Sequence, residues 1–347
     1  MDWFERLTGF QETTGSAGYE QTRRQLKLDG QQLRSEVNGR SYGIGRLELL
    51  DLAALRQRAQ AGPTVAGPLR ARVVQADVRQ LHAQPPYHGA LFQVASQFNL
   101  LEMAGPDITP EQGVTRYQGD HTQGPACAIA AGAATLYRNY FVPVAGQSGQ
   151  NREHQLDAFA PLGAALAALV QAPAASLWAM RNGYTMFQPG AVDRLSTALQ
   201  ALDAAALDGL RARLAIGLHW DVEVTDVPAT APAAPAARVS QAFCSALPVS
   251  YNSQAAAAWA PLATLVLQAA YEATLWAAVI NAQRGDSRTV LLTTLGGGAF
   301  GNHPDWIRAA LQHAVACVRG HGLDLVMVSY GPPAPDLRRW VQALAAG

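Results

Sequence analysis

The sequence predicts an α/β fold of three layers, α/β/α, with helices on both faces of a mixed central sheet. Three observations point there. Short apolar strands alternate with helical segments along most of the chain. The strands "LRARVVQADV", "GALFQVASQFNLLEM" and "LDLVMVSYG" are apolar on both faces, as strands covered on both sides are. A third stretch, "TVLLTTLGGGAFGNHPDWIRAALQHA", runs from apolar strand through glycine loop into amphipathic helix.

The elements follow in order. Residues 1–48 read as a short helix and a hairpin that turns at Asp29-Gly30. "GIGRLELLDLAALRQRAQ" is a strand passing into a helix that ends near Gly62-Pro63. Two apolar strands lead to the loop "AGPDITPEQGVTRYQGDHTQGP", and "ACAIAAGAATLYRNYF" is a helix of small residues. Residues 150–235 look like a mainly helical insertion, with helices over 153–171 and 192–213 and one strand, "LAIGLHWDVEVT". "PATAPAAPAA" is an extended connector. Then come "RVSQAFCSALPVSY", a long apolar helix over 259–280, two more strands, and a final helix "PDLRRWVQAL". The division expected is an N-terminal extension, 1–40, and a domain over 41–347 carrying the insertion.

Composition narrows the function. The 347 residues are 49% hydrophobic and 15% charged, so the chain folds rather than staying disordered. Formal net charge is zero, which argues against a nucleic-acid partner held by counterion release. The long helix contains Gln268 and Glu272 and reads as a core helix, so no membrane partner is expected. Cys127, Cys244 and Cys317 have no CxxC spacing and read as small apolar fillers in a reduced, cytoplasmic compartment. The eight histidines form no HExxH or Cys/His pattern, so neither a metal nor a resident cofactor is expected.

Gly296 to Gly301, "GGGAFG", fits the letters of a dinucleotide fingerprint. Its place does not, since only one strand and two helices follow and Asp324 opens that strand instead of ending it. No Lys-Ser/Thr follows the glycines, which excludes a P-loop. A phosphate nest of backbone N–H groups is the reading left, with Phe300 presented beside the ligand.

With this loop the sequence resembles the macrodomains, an ADP-ribose-binding α/β/α family in which a late G-x-G-x-F-G loop wraps the diphosphate. Gly296, Gly297, Gly298, Ala299, Phe300, Gly301 and Asn302 match that loop. "VVQADV" is similar to the strand whose last Asp bonds the adenine, which implies Asp77. "LFQVASQFNLLEM" resembles the strand before the ribose-holding Asn, which implies Asn99. "TQGPACAIAAGAATLYRNY" resembles the first glycine loop, with Gln123 and Gly124 at the ligand. The set, with "MRNGY", resembles a divergent macrodomain group that includes removal of mono-ADP-ribose from arginine among its activities. The family's usual Asn-Ala-Ala-Asn is absent.

The resemblance implies a mono-ADP-ribosylhydrolase with ADP-ribose as product and an ADP-ribosylated protein as substrate. A non-catalytic ADP-ribose reader is the alternative. Breaking a C–N glycosidic bond calls for a carboxylate to activate water and stabilise the oxocarbenium ion. Asp120, four residues before Gly124, is the first candidate. Glu102 is the second, sharing a face with Asn99 if that piece is helical. Glu111 is the third. Asp107 reads as a solvated turn residue. Tyr330, ending the last strand, is placed either to stack on adenine or to pack within the fold.

Overall fold

A computed structural model describes residues 1–227 and 236–346. The connector expected over Pro228–Ala237 lies almost wholly outside the described residues. Seven strands form the central sheet: β1 (Arg46–Asp51), β2 (Arg70–Gln75), β3 (Leu91–Ala95), β4 (Ala215–Glu223), β5 (Arg238–Cys244), β6 (Thr289–Leu292) and β7 (Asp324–Ser329). Their order is β1-β4-β5-β3-β6-β7-β2. Strands β5, β3, β6, β7 and β2 pair in parallel, and β4 is antiparallel to both neighbours. The sheet is therefore mixed, and helices cover both faces, as predicted.

One face packs on α4 (Ala260–Gln283), which lies against α1 (Leu52–Ala61) and α5 (Pro304–Val318). Helix α4 is the one helix among the described residues long and apolar enough to cross a membrane, and it is buried along its length. Its Glu272 has a reason to be there. Arg56 of α1 binds both carboxylate oxygens at 2.7 and 2.9 Å, Trp276 Nε1 donates at 3.1 Å, and His313 Nε2 lies at 3.0 Å. Arg56 also grips Asp208 with two bonds of 2.8 Å, tying a helix of the insertion to the same cluster. Burial pushes Glu272 upward, but the bonds from His313 and Arg56 win and hold it down at about 2.

The other face packs on α2 (Gln123–Ala130) and α3 (Gly132–Tyr140). The sequence reads these as one helix; the structure breaks it at Ala131 (φ −115°, ψ 58°). Thr225 explains the break. Its N–H takes Ala130 O at 2.9 Å and its Oγ1 accepts the Gly132 N–H at 2.8 Å. Two further single helices are also interrupted. The segment 153–171 is helical only over Ala160–Leu169, because Pro161 serves the first turn and no earlier. The segment 192–213 is two helices, the second started by Asp203, whose side chain accepts the Ala206 N–H.

The division at residue 40 does not follow a structural boundary. A three-stranded meander, Leu26–Asp29, Gln32–Ser35 and Ser41–Gly43, runs across it. Trp3, Phe4, Leu7 and Tyr19 of the extension share a second apolar core with Leu101, Met103, Tyr117 and Tyr140. Strand β4, which the sequence reading placed inside the insertion, belongs to the central sheet.

Candidate active site

The parallel strands end on one side of the sheet, and a cleft lies there, where open α/β sheets bind ligands. It has two adjoining cavities of about 300 Å³ each, sharing Asp120, Thr122, Gln123, Thr293 and Thr294. The first lies over the ends of β3, β5 and β6, lined by Ser96, Glu102, Gly124, Tyr184, Ala246, Tyr251 and the glycine loop. The second lies over β2 and β7, lined by Asp77, Arg79, His121 and Tyr330.

The glycine loop divides its labour. Gly296 (φ 73°) and Gly301 (φ 71°) build the turn; a Cβ would fall 2.4 Å from Ala246 Cβ at the first and 2.0 Å from Ser250 Oγ at the second. Gly297 donates to Thr294 O, and its Cβ position is hemmed in by Ile307. Gly298 has open space on its side-chain face. Among the described residues, the N–H groups of Gly296, Gly298, Ala299 and Phe300 donate to no protein acceptor, and all four residues line the first cavity. That is a ready anion cradle. Asn302 does not join it. Its side chain is buried and donates to Leu247 O at 2.9 Å, closing the loop from behind.

Opposite the loop, α2 points its N-terminus at the same cavity, where the N–H groups of Gln123 and Gly124 have no intrahelical acceptor. Only glycine fits at 124, because a Cβ would sit 2.0 Å from Ala95 O and 3.0 Å from Glu102 Cγ. The Gln123 side chain is not a ligand group. It accepts from Ala95 N–H at 2.8 Å and donates to Gln93 O at 2.7 Å, clamping the end of β3.

Glu102 is the chemically distinct residue of the cleft. It is 2% exposed, yet neither carboxylate oxygen has a hydrogen-bond partner among the described residues. Burial pushes its pKa up to about 7, and the Arg138 guanidinium, 3.8 Å away, and then the Ser96 hydroxyl beside the carboxylate only partly oppose that. The chain reaches this position through Leu100, a left-handed residue (φ 62°) whose side chain lies where Gly217 of β4 leaves room. Tyr117 Oη then accepts the Glu102 N–H at 3.0 Å. This is a tight turn, not the helix that would pair Glu102 with Asn99. Asn99 is fully buried, accepting from Leu101 N–H and donating to Gln155 Oε1, and it does not line the cleft.

The other acids separate clearly. Asp120 stands at the junction of the two cavities, with Oδ1 taken by Thr122 N–H at 2.9 Å and Thr122 Oγ1 at 2.7 Å. Glu111 is elsewhere. It lines a different cavity with Tyr19, Arg23 and Asn151, and Oε1 accepts the Arg152 N–H at 2.9 Å. The chain turns at Gly113 (φ 77°), packed on Glu12, and that turn separates it from the cleft. Asp107 is paired with Arg181 at the surface.

In the second cavity, Asp77 lies two residues past β2 and caps the short helix Val78–Leu81, accepting the Arg79 N–H at 2.9 Å through one oxygen. Tyr330 is 80% exposed beside it. Phe300 is 9% exposed and lies against Tyr184 (centroids 5.2 Å) and Tyr251 (5.8 Å), an aromatic end wall of the first cavity. Tyr251 escapes a sequence reading, since nothing near it marks a site, and Tyr184 closes the "MRNGY" stretch without being singled out there. Tyr184 arrives on the hairpin Trp178–Arg181/Tyr184–Phe187, so the insertion supplies part of the cleft.

Elsewhere, Glu272, His313 and Cys317 bring ligand atoms within 4.8 Å of one another. The bidentate grip of Arg56 on Glu272 already neutralises that carboxylate, and the residues do not suit a cation. Cys127, in the middle of α2, is fully buried and its thiol pKa is pushed well up by burial, as befits a core residue.

No protein-family model and no curated protein matches the chain. Among solved structures it is similar to the poly(ADP-ribose) glycohydrolase from Thermomonospora curvata, at 15% identity, covering 95% of this chain and 96% of that one, with a TM-score of 0.43. A second is the Deinococcus radiodurans poly(ADP-ribose) glycohydrolase in complex with ADP-ribose, at 12% identity, 86% and 95% coverage, and a TM-score of 0.44. At these identities and TM-scores the likeness is distant, and no residue's role is taken from it.

Proposed function

We propose that this protein is an ADP-ribose-binding hydrolase that releases mono-ADP-ribose from protein side chains. The carrying observation is Glu102, a residue of the cavity wall whose desolvated carboxylate lies just behind the same cavity as four free backbone amides. The amides suit a diphosphate. The cavity of Asp77 and Tyr330 then takes the adenosine, and the far ribose lies toward Glu102 and the aromatic wall. Arginine linkage rests on the sequence resemblance.

The chemistry balances with these groups. The ribose C1″–N bond breaks, and its electron pair leaves on the guanidine nitrogen. Water adds to the oxocarbenium carbon from the side of Glu102, which takes the water's proton and passes it to the leaving guanidine. A carboxylate with a pKa near 7 is suited to both steps at neutral pH. Asp120, at the cavity junction, bonds a ribose hydroxyl through its free oxygen.

The test is ADP-ribose release from an arginine-ADP-ribosylated protein by wild type and Glu102→Gln, with ADP-ribose binding followed by calorimetry. Release that Glu102→Gln abolishes, with binding kept, supports a hydrolase. Binding without release moves the protein to the reader class, and no binding removes the whole reading. A poly(ADP-ribose) arm distinguishes polymer trimming.

A further inference from the structure

Behind Glu102, outside the cleft, lies a buried cation. Arg138 of α3 is 0% exposed, and its guanidinium sits 3.9 Å over the ring of Phe243 on β5. Nε donates to Leu100 O at 3.0 Å, Nη2 donates to Thr135 Oγ1 at 3.0 Å, and Nη1 meets His219 Nδ1 of β4 at 3.3 Å. An arginine has only donors, so His219 Nδ1 must accept and the imidazole must be neutral. Burial and the Arg138 charge both hold His219 well below its ordinary pKa. The one carboxylate within reach is Glu102, with Oε2 3.8 Å from Nη2. Too long for a hydrogen bond, that gap suits a charge acting across a short distance.

We propose that Arg138, which touches neither cavity, is the positioning residue of Glu102: it holds the left-handed turn at Leu100 in place and sets a positive charge behind the carboxylate. Two observations on different atoms meet here. Nε braces the backbone two residues before Glu102, while Nη2 faces its charge. The other groups near Glu102 cannot replace it: the Ser96 hydroxyl also opposes the effect of burial, but it is neutral and lies within donating distance of Gln97 O and Leu101 O. Tyr117, from the 3-10 segment Thr115–Gly119, offers an oxygen to the backbone N–H; Cys127 of α2 is a neutral buried thiol; Asp120 is another acid; and Glu12 faces Tyr117. His219 is neutral. Arg138 is therefore the sole cation facing Glu102 among the described residues. The inference rests on the proposed role of Glu102 in hydrolysis, but its test can be separated from that role.

Glu102 is titrated by ¹³C NMR of the side-chain carboxylate in the ligand-free protein, and the acid limb of the pH–rate profile is measured in parallel. Arg138→Met is expected to move the carboxylate midpoint up by about one pH unit or more, and the acid limb by the same amount. Arg138→Lys, which keeps the charge, is expected to restore most of the shift. Arg138→Gln, which keeps donors for Leu100 O or Thr135, carries the same expectation if the Met variant fails to fold. A purely structural arginine would lower the rate and leave the midpoint in place, and that result overturns the proposal. A midpoint that moves equally in the Lys variant also overturns it. A shifted midpoint in a protein that releases no ADP-ribose refutes the hydrolase reading alone.

Discussion

A fully buried carboxylate that lacks close hydrogen bonds costs stability, so Glu102 leaves a thermodynamic trace as well as a kinetic one. Its pKa is raised by burial from 4.5 to about 7. The protonated form is the one the fold favours. Its contribution is therefore complete below pH 4.5 and is lost as the pH rises through 7. Glu102→Gln should raise stability at pH 8 by about 2–3 kcal/mol and leave it nearly unchanged at pH 4.5, read by thermal melts at both pH values. The same variant should lower turnover by roughly three orders of magnitude. Asp120→Ala should lower it far less, because one Asp120 oxygen is committed to Thr122. His82 works in the opposite sense. Burial lowers its pKa to about 4, so its contribution is complete above 6.5 and is lost as the pH falls through 4. Tyr330 gives the contrasting case. At 80% exposure, Tyr330→Ala should leave the melting temperature unchanged and weaken ADP-ribose binding about tenfold by calorimetry, through loss of base stacking.

At the scale of elements, the glycine loop was legible as a nest, but not in its division of labour. Gly301→Ala should cost about 2 kcal/mol or more, from the left-handed backbone and the clash with Ser250, and should abolish binding. Gly298→Ala should fold with stability within about 1 kcal/mol of wild type, since nothing stands within 4 Å of its Cβ position. Denaturant unfolding of the two variants separates these outcomes. The Arg56 cluster binds α1, α4 and the insertion through side chains no local pattern could pair. Arg56→Ala strands the Glu272 carboxylate and should cost about 3 kcal/mol by the same measurement. Helix breaks show the same split. Pro161 and Asp203 are local start signals that a reading of single helices over 153–171 and 192–213 passes over, whereas the break at Ala131 depends on Thr225, ninety-odd residues away in the chain.

At the scale of the molecule, the N-terminal segment is a brace for the cleft. Glu12 accepts the N–H groups of Val114 and Thr115 at 2.9 and 2.7 Å and the Tyr140 hydroxyl at 2.5 Å. Trp3 adds Nε1 to Thr115 O. The stretch so held carries Tyr117, which supports Glu102, and runs on to Asp120. Glu12→Ala should therefore cost about 2 kcal/mol and speed hydrogen exchange at Val114 to Asp120 before the central strands respond. The extension is thus part of the working unit.

The sequence by itself determined the layers, the mixed sheet, the strand ends at which a cleft forms, and the glycine loop there with its free backbone amides. These follow from periodicity and from glycine, which act over neighbouring residues. It also brought Glu102, Asp77 and Tyr330 into view as candidates. Only the tertiary structure decided which acid is desolvated, and it chose Glu102 over Asp120 and Glu111. It likewise turned Asn99, Gln123 and Asn302 into internal braces and brought Tyr184, Tyr251 and Arg138 to the site. Burial and pairing are set by what packs against a side chain from distant segments, and that information has no local signature.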